Sequence, residues 1–228
     1  MRKLAGKAFR GLSRSTILGS MVSAERERLE DEIRRDHARG DHAAAARAAV
    51  RGFGPEIYAF LCSFLRQEAD ADEVFSIFCE RLWTGLPRFA WECSFRTWAY
   101  TIARNAARNY AASARVRVRA LMPDDSGLAD IAATVRSETA SYLRSQIRDG
   151  IARLRESLSE EERMLLTLRV DRDLSWSDLA RVLRSDTEQA LTAEEERREA
   201  ARLRKRFQTV KEKLARLARA EGLLGPDR

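Results

Sequence analysis

The stretch PRFAWECSFRTWAYTIARNAARNYAASAR, residues 87–115, combines aromatic side chains with arginines and contains one carboxylate, Glu92. From Ser94 onward the apolar residues recur at steps of three and four, which predicts a helix with one apolar face. That face comprises Phe95, Trp98, Ala99, Ile102, Ala106 and Tyr110. A second stripe at a spacing of four predicts a cationic face on the same helix, comprising Arg96, Tyr100, Arg104 and Arg108 with Asn105 and Asn109 beside them.

The composition of the whole chain agrees with a helical protein. Its 228 residues include four prolines and eleven glycines, and Ala, Leu, Arg and Glu are abundant, which favours an all-α fold. No apolar run reaches the roughly 18 residues that a membrane span needs. The net charge of +7 indicates an anionic partner, either a nucleic acid or a membrane surface. The three cysteines lack CxxC spacing and are expected to be reduced thiols of a cytoplasmic protein.

The patterning predicts two small helical domains joined by a flexible linker. Residues 1–37 are expected to form a basic arm, partly disordered, and an exposed helix; an organelle-targeting segment is the alternative for the arm. In the first domain, 38–115, an Ala-rich helix closed by glycines precedes a second helix with Pro55 in its first turn. An acidic start then predicts a helix over 70–83. Residues 116–136 lose the helical period and are turn-prone, which predicts the linker.

Residues 137–224 contain helix-capping residues at the spacing expected for a helix-turn-helix unit. Ser159 and Ser175 are predicted N-caps, the first in a capping box with Glu162 and the second with Asp178 as a weaker variant. The last helix of this unit has apolar residues at steps of four and three. Between residues 197 and 219 it has ten Arg or Lys against two Glu. One face is therefore expected to be apolar and the opposite face strongly cationic.

An acidic segment, residues 185–196, precedes this basic helix and contains five acids and no base. The turn of a helix-turn-helix usually takes about three or four residues, so the segment needs an explanation. Either the basic helix begins early, with Thr192 as its N-cap and Glu195 in a capping box, or the acidic segment is an inserted loop.

No constellation of residues suited to catalysis occurs in the sequence. It has no Gly-rich phosphate loop, no GxSxG motif and no metal-ligand spacing. The two histidines, His37 and His42, are too few for a metal site. We therefore expect no enzymatic activity, no cofactor, no metal and no small-molecule substrate.

The two cationic helices suit two forms of nucleic acid. Arginines beside aromatic rings suit single strands, because the charges follow the phosphates and the rings stack on bases. A base removed from a duplex needs a similar pocket. An Arg- and Lys-faced helix in a helix-turn-helix suits the major groove of an intact duplex. The sequence thus predicts one chain that contacts both melted and double-stranded DNA.

These motifs resemble a known family. The string DADEVFSIFCERLW…LPRFAWECSFRTWAYTIARNAARNY is similar to the second conserved region of bacterial sigma factors, and LSEEERMLLTLRVDRDLSWSDLARVL…LRKRFQTVKEKLARL resembles their fourth region. Two such regions with a short linker are similar to the extracytoplasmic-function (ECF) group of the sigma-70 family. The resemblance implies a factor that binds core RNA polymerase and directs promoter recognition and melting. It leaves open whether an anti-sigma factor is a further partner.

The resemblance also implies residue roles. Polymerase would be bound by one helix, through Asp70, Asp72, Glu73, Ser76, Ile77, Glu80 and Arg81. The minus-ten element, with a flipped base in the loop from Phe89 to Ser94, would be contacted by Phe89, Trp91, Ser94, Arg96, Trp98, Arg104, Asn105 and Arg108. For Trp98, core packing is an equal alternative, and the Arg and Asn side chains are expected to be exposed. The minus-thirty-five element would be contacted by Arg204, Lys205 and Arg206, with Arg202 and Lys211 on phosphates, while Leu203 and Phe207 would lie in the core.

One departure from the family and two other functions bear on this interpretation. Ser76-Ile77 stands where family members often carry Gln-Glu, so the detail of polymerase docking differs. A stand-alone helix-turn-helix transcriptional regulator would bind duplex without polymerase. A membrane-surface adaptor built from basic amphipathic helices is the other alternative, although we expect no membrane partner.

Overall fold

The computed structural model describes residues 23–65, 67–112, 127–146, 154–184 and 191–221. Within these ranges the chain is all-α, as predicted, and contains no strand. The α-helices are α1 (Ser23–Ala38), α2 (His42–Phe64), α3 (Glu68–Gly85), α4 (Phe95–Ala112), α5 (Leu128–Gln146), α6 (Glu160–Leu166), α7 (Trp176–Arg184) and α8 (Ala193–Ala220). None of the described helices is both long and apolar enough to cross a membrane. The predicted basic arm lies within residues 1–22, which are outside the described residues.

Helix α2 is one 23-residue helix where the sequence predicted two. The glycines that were interpreted as a helix end instead permit close packing. A Cβ at Gly52 would lie 2.2 Å from Leu29 Cδ2 of α1, and a Cβ at Gly54 would lie 3.2 Å from Val135 Cγ1 of α5. Pro55 lies inside the helix, although it cannot donate a backbone hydrogen bond there. The prediction of a helix start at Pro55 was wrong, because packing on both sides of α2 offsets its weak local propensity.

The core of the first unit is built around α2, which packs against α1, α3, α4 and α5. Its largest fully buried side chains are aromatic or aliphatic: Phe53, Tyr58, Phe60, Phe75, Phe78, Phe95, Tyr100, Ile33, Ile57, Leu61, Leu82 and Leu86. Each such side chain contributes about 1.5–3 kcal/mol when it leaves water. This core fixes the position of α4 and of the loop that precedes it.

Helix α5 begins inside the segment that the sequence predicted to be a linker. Gly127 has a φ of +63°, and the helix starts at the next residue. Leu128, Ala132 and Val135 are buried, and the helix packs on α2 and α3. Residues 127–136 are therefore part of the first unit, while 113–126 lie outside the described residues. The expected boundary at residue 137 falls within a helix.

The C-terminal unit comprises α6, α7 and α8, with a π-helical turn over Thr167–Asp171 after α6. The capping box of Ser159 and Glu162 is present, as predicted. The early start of the basic helix is also confirmed, because α8 begins at Ala193 with a capping box between Thr192 and Glu195. Residues 185–190 lie outside the described residues.

The two units share one hydrophobic cluster. Leu168, Leu174 and Leu179 of the C-terminal unit belong to the same buried set as Phe53 and Phe95 of the first unit. The contact is made mainly by α7, which packs directly on α4. A smaller cluster inside the C-terminal unit joins α6 to the second half of α8 and contains Leu154, Leu158, Leu166, Val210, Leu214 and Ala218.

Candidate nucleic-acid interface

Three aromatic rings pack on one another where the loop between α3 and α4 meets α4. The Phe89 ring is stacked on the Trp98 ring, with centroids 4.5 Å apart, and its centroid lies 4.8 Å from that of Trp91. Phe89 is buried, whereas Trp91 and Trp98 are half-buried. Trp91 has a φ of 59°, in the left-handed region that a bulky residue rarely adopts. Phe89 is thus the floor of the cluster, and parts of both tryptophan rings reach the surface.

Helix α1 caps the N-terminus of α4 through Glu30. The Glu30 carboxylate accepts hydrogen bonds from the backbone N–H groups of Phe95 and Arg96, each at 2.8 Å. These are two of the N–H groups that have no partner within the helix itself. Burial raises the pKa of Glu30, and the two backbone hydrogen bonds only partly offset that effect.

Two further side chains of α1 contact Trp91. The indole Nε1 of Trp91 donates a hydrogen bond to His37 Nδ1 at 3.3 Å. His37 Nε2 donates in turn to the carbonyl oxygen of Leu86 at 3.0 Å, so these contacts fit the tautomer with its proton on Nε2. Arg34 Cζ lies 4.5 Å from the centroid of the Trp91 ring, which is within cation–π distance.

The expectation that Arg96 is exposed was wrong, because its side chain is buried. The guanidinium Nε and Nη2 donate to the two carboxylate oxygens of Glu56 at 2.7 and 2.9 Å, and Nη2 also donates to the Arg172 carbonyl at 2.7 Å. Burial is the largest effect and lowers the pKa of Arg96, but the hydrogen bonds with Glu56 and the electrostatic attraction of nearby groups together raise it above its usual value. A buried guanidinium is tolerated here because a carboxylate and a carbonyl take up its donors.

Arg104, one helical turn further on than the fully buried Tyr100, is also buried, so its expected exposure was wrong as well. Burial, with a smaller effect from Arg108, lowers the pKa of Arg104 to about 10, which leaves the side chain charged at neutral pH. Asn105 is half-buried and Arg108 is exposed. The cationic stripe of α4 therefore changes from buried to exposed along its length.

The C-terminal unit covers the start of α4 with polar contacts. Thr97 Oγ1 donates to Asp178 Oδ1 at 2.8 Å. We call residues 86–94, between α3 and α4, the aromatic loop. Arg181 Nη1 donates to the backbone carbonyl of Glu92 in this loop at 2.6 Å. Arg181 also pairs with Glu196 at 2.7 Å, so α7 links α8 to the loop. The region expected to contact the minus-ten element is thus in contact with the unit expected to contact duplex DNA.

The side chains expected to bind polymerase lie together on α3 and are half-buried: Asp70, Asp72, Glu73, Ser76, Ile77, Glu80 and Arg81. Tyr58 Oη donates to Asp72 at 2.7 Å and Tyr110 Oη donates to Asp70 at 2.9 Å. Arg136 of α5 donates to Ser76 Oγ at 3.0 Å. Helix α5 therefore borders this face. The contact was not predicted, because residues 116–136 were expected to form a linker.

The cationic face of α8 is exposed, as the sequence indicated for Arg202, Arg204, Lys205 and Arg206, while Lys211 is half-buried. The guanidinium of Arg204 lies 5.6 Å from the centroid of the Trp176 ring. Arg206 is paired with Glu161, and Arg202 lies 3.3 Å from Glu199. Leu203 is buried, and half-buried Phe207 packs edge-on against Trp176.

The roles of six side chains that hold the aromatic loop, the start of α4 and the contact with the C-terminal unit were not predicted from the sequence. They are Glu30, Arg34, His37, Glu56, Asp178 and Arg181. Glu56 and Arg96 are 40 positions apart in the chain, and Glu30 and Arg96 are 66 positions apart. Helical periodicity carries no information about such pairs. Among the described residues, no group of three or more His, Cys, Asp or Glu side chains could hold a metal ion.

The aromatic loop, the cationic helix and the face of α3 all lie within one matched segment. Residues 49–117 match the family model for Sigma-70 region 2. No curated protein matches the chain. The sigma-70 family consists of non-enzymatic transcription initiation factors, with core RNA polymerase and promoter DNA as partners. Residues 49–117 are thus similar to one region of that family, whose members act in transcription initiation.

Proposed function

We propose that the protein is an ECF-type sigma factor that directs core RNA polymerase to promoters and opens the DNA there. The observation that carries the proposal is the position of the aromatic loop and α4 inside the region 2 match, with a second exposed cationic helix in the same chain. One surface has rings for unpaired bases and the other has a dense cationic face for duplex.

In this proposal the minus-ten element binds at the loop and α4. Trp91 and Trp98 offer ring surface to a flipped base, and Phe89 supports them from below, because it is buried and stacked on Trp98. The exposed Arg108 contacts phosphates at the far end of α4. Arg96 is held by Glu56 and by the Arg172 carbonyl and acts mainly by positioning α4, while Arg104 and Asn105 are the next candidates for strand contact along the helix.

The minus-thirty-five element binds along α8. Arg204, Lys205 and Arg206 lie on its exposed face and are able to reach base edges in a major groove. Arg202 and Lys211 contact the phosphates on either side. The Trp176 ring beneath Arg204 limits the directions that the guanidinium can take, which favours a defined contact over a diffuse one.

Polymerase docks on α3. Its half-buried acids and Arg81 form a polar surface, and Ser76 and Ile77 stand where family members often carry an amide and an acid. Ile77 packs partly against the core, so an Ile77→Asp change is expected to weaken polymerase association and to cost some stability. An anti-sigma factor that binds α3 or α4 is compatible with the proposal.

The decisive experiment is transcription in vitro with core polymerase on a genomic library, with start sites compared in the presence and absence of this chain. Discrete new start sites that share two sequence elements are expected. Arg104→Ala is expected to weaken open-complex formation more than polymerase binding. The proposal fails if the chain never associates with core polymerase; tight duplex binding by the isolated chain would then identify a stand-alone helix-turn-helix regulator.

A further inference from the structure

We propose that His37 is a positioning residue for base recognition, an inference that rests on the proposed function. It lies on α1, outside the region 2 match and 54 positions from Trp91. Its ring joins the two sides of the aromatic loop. One nitrogen accepts from the Trp91 indole, and the other donates to the Leu86 carbonyl in the 3-10 turn that starts the loop.

The backbone conformation of Trp91 explains why the loop needs the hydrogen bonds of His37. Its φ of 59° lies in the left-handed region, where a residue with a large side chain is disfavoured. The conformation persists only when surrounding contacts hold it. His37 binds the indole N–H, Arg34 lies over the ring, and Phe89 packs beside it.

The same helix fixes the other end of the loop. The Glu30 carboxylate holds the backbone N–H groups of Phe95 and Arg96, where α4 starts. Helix α1 therefore anchors the loop at Leu86, at Trp91 and at the first turn of α4. A base-stacking ring held in advance loses less conformational entropy when the base arrives.

A set of variants in complete holoenzyme tests this role. The probe is the single-stranded minus-ten region of a promoter recovered in the transcription experiment, and the duplex minus-thirty-five region is the comparison. His37→Ala removes one hydrogen bond to Trp91 and is expected to weaken strand binding roughly fivefold to tenfold. Duplex and polymerase binding should stay as in the wild type.

His37→Gln is the conservative variant, because its amide oxygen accepts from Trp91 while its N–H₂ donates to Leu86. It is expected to restore most of the strand binding. His42→Ala is the matched control, since His42 lies beside His37 (ring centroids 5.1 Å apart) and, among the described residues, its Nδ1 makes no hydrogen bond to the loop. Trp91→Phe removes the indole N–H, so the effects of His37→Ala and Trp91→Phe should not add.

The role of His37 would be overturned if the losses in strand binding caused by His37→Ala and Trp91→Phe added up in the double variant. It would also be overturned by equal losses in strand, duplex and polymerase binding. Wild-type strand binding by His37→Ala would overturn it too. These outcomes differ from failure of the proposed function, in which wild-type holoenzyme itself binds no opened strand.

Discussion

The cationic faces of α4 and α8 differ in exposure although their sequences are similar. Both place basic side chains on the face of a helix opposite an apolar stripe. On α4 the first turns are covered, and Arg96 is buried against Glu56. On α8 the basic side chains from Arg202 to Arg206 are exposed, and two of them, Arg202 and Arg206, pair with acids at the surface.

The difference lies in the residues between the charges. On α4 the stripe contains Tyr100, and Thr97 lies beside Arg96; both are buried and fit against another helix. On α8 the apolar neighbours of Arg204 lie on the opposite side of the helix from the exposed basic face, where Leu203 is buried and Phe207 packs against Trp176. A row of arginines therefore indicates an exposed surface only when no other element packs over that row.

The largest effect that would test this contrast concerns the buried ion pair. Glu56→Ala leaves the Arg96 guanidinium buried without its carboxylate and is expected to lower the free energy of unfolding by about 3–5 kcal/mol. Urea unfolding measures this free energy. Glu92→Ala, which removes an exposed acid in the aromatic loop, is the control and should change the free energy of unfolding by less than about 0.5 kcal/mol. A loss below about 1 kcal/mol would mean that Arg96 reaches water and that the covered face is open in solution.

On the exposed face the expected effect is smaller and specific to sequence. Arg204→Ala is expected to cost about 1–3 kcal/mol of binding free energy at one base position. Binding of holoenzyme to a panel of minus-thirty-five duplexes, each with one base pair changed, measures it. Arg216→Ala, further along α8, is the control. A uniform loss across the panel would assign Arg204 to phosphate.

The start of α8 offers a third, weaker test. Thr192→Ala removes the N-cap hydroxyl that accepts from the backbone N–H of Glu195 and should lower the free energy of unfolding by about 1 kcal/mol. Ser159→Ala removes the equivalent cap of α6 and allows comparison. No change for Thr192→Ala would show that the acidic first turn of α8 is held by Arg181 and Glu196 instead.

The smallest expected effect concerns salt dependence. If Lys211 contacts one phosphate, Lys211→Ala should reduce the slope of log affinity against log salt concentration by about 0.9. Lys213 is already paired with Glu162 at 2.7 Å, so Lys213→Ala should change the slope less. Equal changes in the two variants would remove the assignment of Lys211 to a phosphate.

The local features of the fold could be predicted from the sequence because they depend on neighbouring residues. The capping boxes at Ser159 and Thr192 need only a hydroxyl and an acid three positions later. The apolar face of α4 follows from its helical period. Leu128, Ala132 and Val135 carry the same period at steps of four and three, so α5 had a signal that the acidic turn preceding it obscured.

Other features depend on contacts between distant parts of the chain. Gly52 and Gly54 signal a helix end unless it is known that Leu29 and Val135 pack there. The partners of Arg96 and Trp91 come from α1, α2 and the C-terminal unit. A single sequence contains the residues of these pairs but not their proximity, and the cover over α4 could not be predicted for that reason.

The docking of α5 on α2 sets the length of chain that joins the first unit to the C-terminal unit. With α5 in place, only residues 147–153 join its end at Gln146 to Leu154. Fully extended, that tether spans at most about 30 Å. Release of α5 from the first unit would lengthen this tether by the residues of the helix, so the docking of α5 limits how far apart the two units can move.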